Sequence, residues 1–193
     1  MARTQAADYD ERRAKIVHAA AALFAARGFA SASVAEIAAA CGASKSLIYH
    51  YYPGKEDILF AVMEGHLAAL LAAARAVPDG PAPDRLRALA GALMHEYAGA
   101  AARQKVLLNE LDQLPPGRRA RIVAEQRAIV ATVEAMVAEI APTLPPRQRF
   151  AAAMLFFGMI NWTHTWWNPA GPLGPDAIAQ QVAAIFLHGL HAS

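Results

Sequence analysis

The chain is poor in the residues that build covalent or metal-held scaffolds. Cys41 is its one cysteine in 193 residues, which excludes an internal disulfide and any multi-cysteine zinc site and fits a reducing cytoplasm. Charge is scarce as well. Asp, Glu, Lys and Arg make up 18% and the formal net charge is +2, so no broad field of one sign announces a partner. Long apolar runs are missing too: the longest, Phe150 to Ile160, has 11 residues before Asn161, Thr163, His164 and Thr165 interrupt it, against roughly 20 needed to cross a membrane. Met1–Ala20 carries acidic and basic side chains where a secretory signal needs an apolar stretch, so no export and no membrane partner is expected. β-branched residues are few and no segment alternates apolar with polar, which removes the strand signal.

Catalytic patterns are absent in the same way. There is no phosphate-binding glycine loop, nucleophile elbow or dinucleotide fingerprint, and the carboxylates are scattered over helix faces rather than grouped near histidine. An enzyme is therefore not expected, and no catalytic residue is assigned. The seven histidines include no His-x-x-x-His pair, His188 and His191 being the nearest; neither a metal nor a cofactor is expected.

What is present is alanine, about a quarter of the chain, within a hydrophobic fraction of 56%. Ala is the best helix former, so the expected fold is all-α. Gly28, Gly42, Pro53-Gly54, Pro78 to Pro83, Pro115-Pro116-Gly117, Pro145-Pro146 and Asn168 to Pro175 punctuate it, because Gly and Pro end helices. Helices are expected at about 9–27, 34–40, 44–51, 55–77, 84–102, 104–114, 118–140, 147–167 and 175–190.

One segment carries chemistry. Ser33 followed by Glu36 is a capping box that opens a short helix; Gly42 turns the chain and Ser44 caps a second short helix, so the pair makes a helix-turn-helix. A helix entering the DNA major groove needs small residues at its start, hydroxyls and a cation for bases or phosphates, and aromatics along the backbone. Ser44, Lys45, Ser46, Tyr49 and His50 supply these, while Ser33 and Lys55 could hold flanking phosphates that fix register without reading sequence. Residues 1–57 carry seven Lys+Arg and six Asp+Glu, so binding must rest on placed contacts and on the avidity of a dimer.

From about Glu11 to Phe60 the chain resembles the DNA-binding domain of the tetracycline-repressor (TetR) family of transcriptional regulators. The matching residues are Gly28-Phe29, Ser33-Val34, Ile37-Ala38, Gly42, Ser44-Lys45-Ser46, Ile48-Tyr49-His50, Tyr52-Pro53 and Lys55-Glu56. Tyr52 and Gly54 stand where the family often has Phe and Ser. The resemblance implies a DNA-binding domain over 1–55, a ligand-binding and dimerisation domain over 56–193, and a homodimer built through the last two helices. It also implies a pseudo-palindromic double-stranded operator and a small-molecule effector that releases a repressor from it.

In the second part, the 147–167 segment joins aromatic residues to a few polar ones. Phe157, Asn161, Trp162, Thr165 and Trp166 are candidate effector contacts, or else dimer-interface packing. The stretches Asn161-Trp162, Trp166 to Pro169, Gly171 to Leu173 and Phe186 to Leu190 resemble a family branch that responds to acyl-coenzyme A thioesters. Such a ligand carries several phosphates, for which Arg103, with Lys105, Arg118, Arg119 and Arg121, supplies the nearest cations by sequence. The alternative reading is a helical small-molecule-binding protein without DNA-binding activity.

Overall fold

The computed structural model describes residues 2–191, with side chains described for residues 8–190. Nine α-helices follow one another, with no strand among the described residues: α1 (Ala2–Arg27), α2 (Val34–Ala40), α3 (Lys45–Tyr51), α4 (Lys55–Arg75), α5 (Ala82–Gly99), α6 (Ala101–Asn109), α7 (Pro116–Ile140), α8 (Pro146–Trp166) and α9 (Pro175–His191), with a 3₁₀ turn at Leu111–Gln113. The break expected near residue 103 falls at Ala100, whose φ of −136° and ψ of 35° leave the helical region directly after Gly99, the poorest non-proline helix former.

Packing divides the chain into two compact units. The first holds residues up to His66 together with Ala102–Ile122, and the second holds Leu67–Ala101 with the chain from Val123 onward. This boundary reflects packing, because the first turns of α4 bury Ile58, Leu59, Val62 and Met63 in the first unit. The functional boundary expected between residues 55 and 56 is a separate matter.

In the first unit, α1 buries Ile16, Ala20 and Phe24 on one stripe. It stops at Gly28, whose φ of +81° only glycine adopts without strain. Phe29 then folds back, its ring 5.3 Å from that of Phe24. The helix-turn-helix is made by paired local signals. Ser33 and Glu36 form both bonds of a capping box at the start of α2. At its end Gly42, with φ +65°, donates to Ala39 O (3.2 Å) and Ala43 donates to Ala38 O (2.9 Å), the two bonds of a Schellman stop. Ser44 then caps α3 by accepting from the Leu47 N–H at 3.1 Å.

In the second unit α5 lies along α9 and α8 packs beside both. Leu86, Leu89, Leu93, Met94, Val133, Val137, Phe156 and Ile160 are fully buried there, with Phe156 at 5.5 Å from Phe157 and 5.3 Å from Phe186. Among the described residues, α4 is the one helix long and apolar enough to cross a membrane. Its Ile58, Leu59, Val62, Met63, Leu67 and Leu70 are instead buried within the protein, so its apolarity is that of a core helix.

Candidate nucleic-acid interface

The outward face of α3 is fixed by what its inward face buries. Ile48 is fully enclosed, and this orients the helix so that Ser44, Lys45, Ser46, Tyr49 and His50 are all exposed. Lys45 and Tyr49 are one helical turn apart, and the Lys45 ammonium sits 5.8 Å from the centre of the Tyr49 ring. The Ser44 and Ser46 hydroxyls are 3.0 Å apart. The five α3 residues among those expected to meet DNA therefore present hydroxyls, a cation and aromatic rings to solvent.

The end of α3 is held against α1. The Tyr51 ring lies 4.7 Å from that of Tyr9 and 5.4 Å from that of His50. The buried Tyr52 carries the Arg13 guanidinium 5.4 Å above its ring, and a hydrogen bond to Tyr52 raises the Arg13 pKa. A phenylalanine at position 52 would fill the space without offering Arg13 an oxygen.

Ser33 and Lys55 are engaged within the protein. The Ser33 hydroxyl donates to Glu36 Oε2 (2.8 Å) and accepts from the Glu36 N–H (3.2 Å). Glu36 also accepts from the Ser33 N–H at 2.8 Å and from Arg27 at 2.5 Å. These hydrogen bonds from Ser33, with Arg27 adding its charge, lower the Glu36 pKa below its usual 4.5. Lys55 Nζ donates to Phe29 O (2.8 Å) and Ala32 O (2.9 Å), reaches Ala30 O at 3.5 Å, and lies 4.2 Å from the centre of the Phe29 ring. An ammonium has three protons to donate, and as placed Lys55 directs them at three carbonyls of the loop between α1 and α2.

The candidate effector residues of α8 take different sides of that helix. Phe157 is buried, and the half-buried Asn161 accepts from the Tyr97 hydroxyl at 2.7 Å through its Oδ1. Trp162, Thr165 and Trp166 lie on the exposed side of α8, with the tryptophans 65% and 58% exposed. Arg103 belongs to the first unit, where it lines an open cleft of about 890 Å³ with Glu11, Lys15, His18 and Cys41. Of the other arginines named with it, Arg118 pairs with Asp57, Arg119 with Asp112 at 2.8 Å, and Arg121 with Glu64.

Two features escaped the sequence. The fully buried His66 shares a 2.7 Å hydrogen bond with Gln104, and burial lowers its pKa below the usual 6.5. Position 66 sits on the apolar stripe of α4 and could have been marked as a buried histidine, but no spacing rule joins it to position 104. The second feature is an apolar ridge on α8: Phe150, Met154, Leu155, Trp162 and Trp166 are exposed, as is Ile185 of α9. Among the described residues no three His, Cys, Asp or Glu side chains converge as metal ligands; the side chain of His191 lies outside those described.

Similarity to known proteins follows this geometry. Residues 16–62 match the bacterial regulatory proteins of the tetR family, and residues 79–190 match a tetracyclin repressor-like C-terminal domain. The chain is similar to a TetR-family transcriptional regulator from Bordetella parapertussis, with 35% identity and a TM-score of 0.87 over 91% of this chain and 93% of that one. It is 27% identical to the transcriptional repressor KstR2 of Mycobacterium tuberculosis over 96% of each. It also resembles AibR, solved in complex with isovaleryl coenzyme A and operator DNA, with 28% identity and a TM-score of 0.79 over 90% of this chain and 97% of that one.

Proposed function

The chain belongs to the TetR family of bacterial regulatory proteins, and from that premise we propose a homodimeric repressor that leaves its operator when an acyl-coenzyme A thioester binds. The observation that carries the DNA half is the outward face of α3, five exposed polar and aromatic residues oriented by the buried Ile48. Lys45, Ser46 and Tyr49 approach base edges, while Ser44 and His50 meet the backbone. On this reading residues 1–55 bind DNA and residues 56–193 bind effector and dimerise, and action on chromosomal DNA sets the protein in the cytoplasm. It is a regulator and not an enzyme.

The dimer half rests on the ridge of α8. Phe150, Met154, Trp162 and Trp166 repeat at intervals of four or eight residues, the row that interlocks with a like row on a crossing helix. With Ile185 of α9 they form an apolar face suited to a second copy. Two α3 helices in such a dimer read two half-sites, so the operator is a pseudo-palindrome.

The effector class is supported by the coenzyme A complex of AibR, which shares the fold over 90% of the chain. Phe157 and Asn161, on the inner side of α8, are the residues assigned to it. An effector acts only through a difference in affinity between the DNA-competent dimer and another geometry. Titration with short-chain, long-chain and aromatic acyl-coenzyme A thioesters tests this: saturable heat with release of operator DNA supports it, and no heat from any thioester removes the class. Failure to bind any duplex, with thioester binding retained, would favour a ligand-binding protein without DNA activity.

A further inference from the structure

The start of α7 breaks a local rule. Its first two turns carry Arg118, Arg119 and Arg121 and no acidic residue in the first turn, although the positive end of a helix dipole disfavours cations. Departures of this kind are explained by what the side chains meet elsewhere. Arg119 is held by Asp112 at 2.8 Å. Arg118 and Arg121 reach instead to α4, pairing with Asp57 and Glu64, and both guanidinium groups lie over the ring of Phe60, at 5.5 and 5.4 Å from its centre. Asp57, Phe60 and Glu64 are successive turns of one face of α4. Two arginines thus clasp three turns of that helix, and Asp57, Glu64 and Arg118 are only partly exposed, at 24%, 36% and 37%, against 61% for Arg121.

The grip continues toward α3. Lys55, two residues before Asp57, ties the start of α4 to the carbonyls of Phe29 and Ala32, and only Tyr52, Pro53 and Gly54 separate α4 from α3. All of these residues belong to the first unit, while α7 beyond Ile122 belongs to the second. We propose that Arg118 and Arg121 are positioning residues for operator binding: by clasping Asp57, Phe60 and Glu64 they hold α4, and through it the recognition helix α3, in the DNA-competent placement. This rests on the DNA-binding reading of α3 and adds to it residues that do not touch DNA.

The test uses full-length protein and an operator selected by the wild type from a randomised duplex pool. Arg118→Gln/Arg121→Gln is expected to lose about tenfold in affinity for that operator. Affinity for random duplex and the salt dependence should stay unchanged, because no phosphate contact is removed. Helix content should be retained, since removing cations from the start of α7 relieves the dipole conflict. A second variant separates pairing from mere presence. Glu64→Arg alone should weaken operator binding, and Glu64→Arg/Arg121→Glu should restore it to within about twofold. Unchanged operator affinity in the double Gln variant overturns the proposal, as does a swap that fails to rescue. A fall of about two units in salt slope, with both duplexes weakened alike, overturns it in favour of direct phosphate contact. If the wild type selects no sequence, the DNA-binding reading fails and this inference falls with it.

Discussion

Ile48 and Tyr49 are neighbours with opposite duties, and the division of labour on α3 turns on that contrast. Ile48 is fully buried while Tyr49 is 44% exposed. Ile48→Ala should cost about 2 to 5 kcal/mol of folding stability, read as an earlier urea midpoint. Tyr49→Ala and Lys45→Ala should leave that midpoint in place and weaken specific operator binding by about 1 to 3 kcal/mol each; unchanged affinity would mean that α3 is not the docking helix. Lys55 makes the opposite prediction. With its ammonium on three loop carbonyls, Lys55→Met should lower the thermal midpoint and leave the salt slope of DNA binding unchanged, whereas a phosphate contact would reduce that slope by about one. The caps Ser33 and Ser44 were legible in the sequence because a cap depends on residues three positions away. The partners of Lys55 were not, since a side chain reaching back 23 and 26 residues leaves no local pattern.

At the scale of elements, glycine and proline set most of the helix ends, so their order was readable; the Schellman stop at Gly42 is the clearest case. The α5–α6 break lies at Ala100, before the expected position near 103, because alanine itself favours helix and the weak point is Gly99. Contacts between helices were the least readable. His66 of α4 meets Gln104 of α6 across 38 residues, and this pair gives α4 a pH dependence. The folded state holds His66 neutral, burial setting its pKa below 6.5 with nearby Arg103 adding repulsion, while the unfolded chain takes up a proton near 6.5. Its contribution is therefore fully present above that pH and is lost as pH falls below it, by up to about 1.4 kcal/mol per pH unit until the folded pKa is reached. Thermal midpoints between pH 7.5 and 5 should fall more steeply for the wild type than for His66→Gln, and parallel curves would contradict the assignment. The Glu36 box behaves in the same direction at lower pH: its contribution is present above 4.5 and lost as pH falls through the lowered pKa.

For the whole molecule, two surfaces have to cooperate. The ridge of α8, with Leu155 68% and Trp162 65% exposed, is the face proposed to meet a second copy. Leu155→Glu/Trp162→Glu should shift sedimentation from dimer to monomer and, by removing avidity, weaken operator binding far more than half-site binding. The aromatic richness of this segment was visible in sequence, but which side of α8 each ring takes was not: the buried Phe157 and the exposed Trp162 are alike in composition and differ in facing. The central claim is that α3 of a dimeric regulator reads a specific duplex. Fluorescence anisotropy of labelled DNA from upstream of this protein's own gene, against a scrambled duplex at one fixed salt concentration, tests it most directly. The account predicts saturable binding to the upstream duplex at protein concentrations where the scrambled one stays free; equal binding to both, or to neither even at low salt, would contradict it.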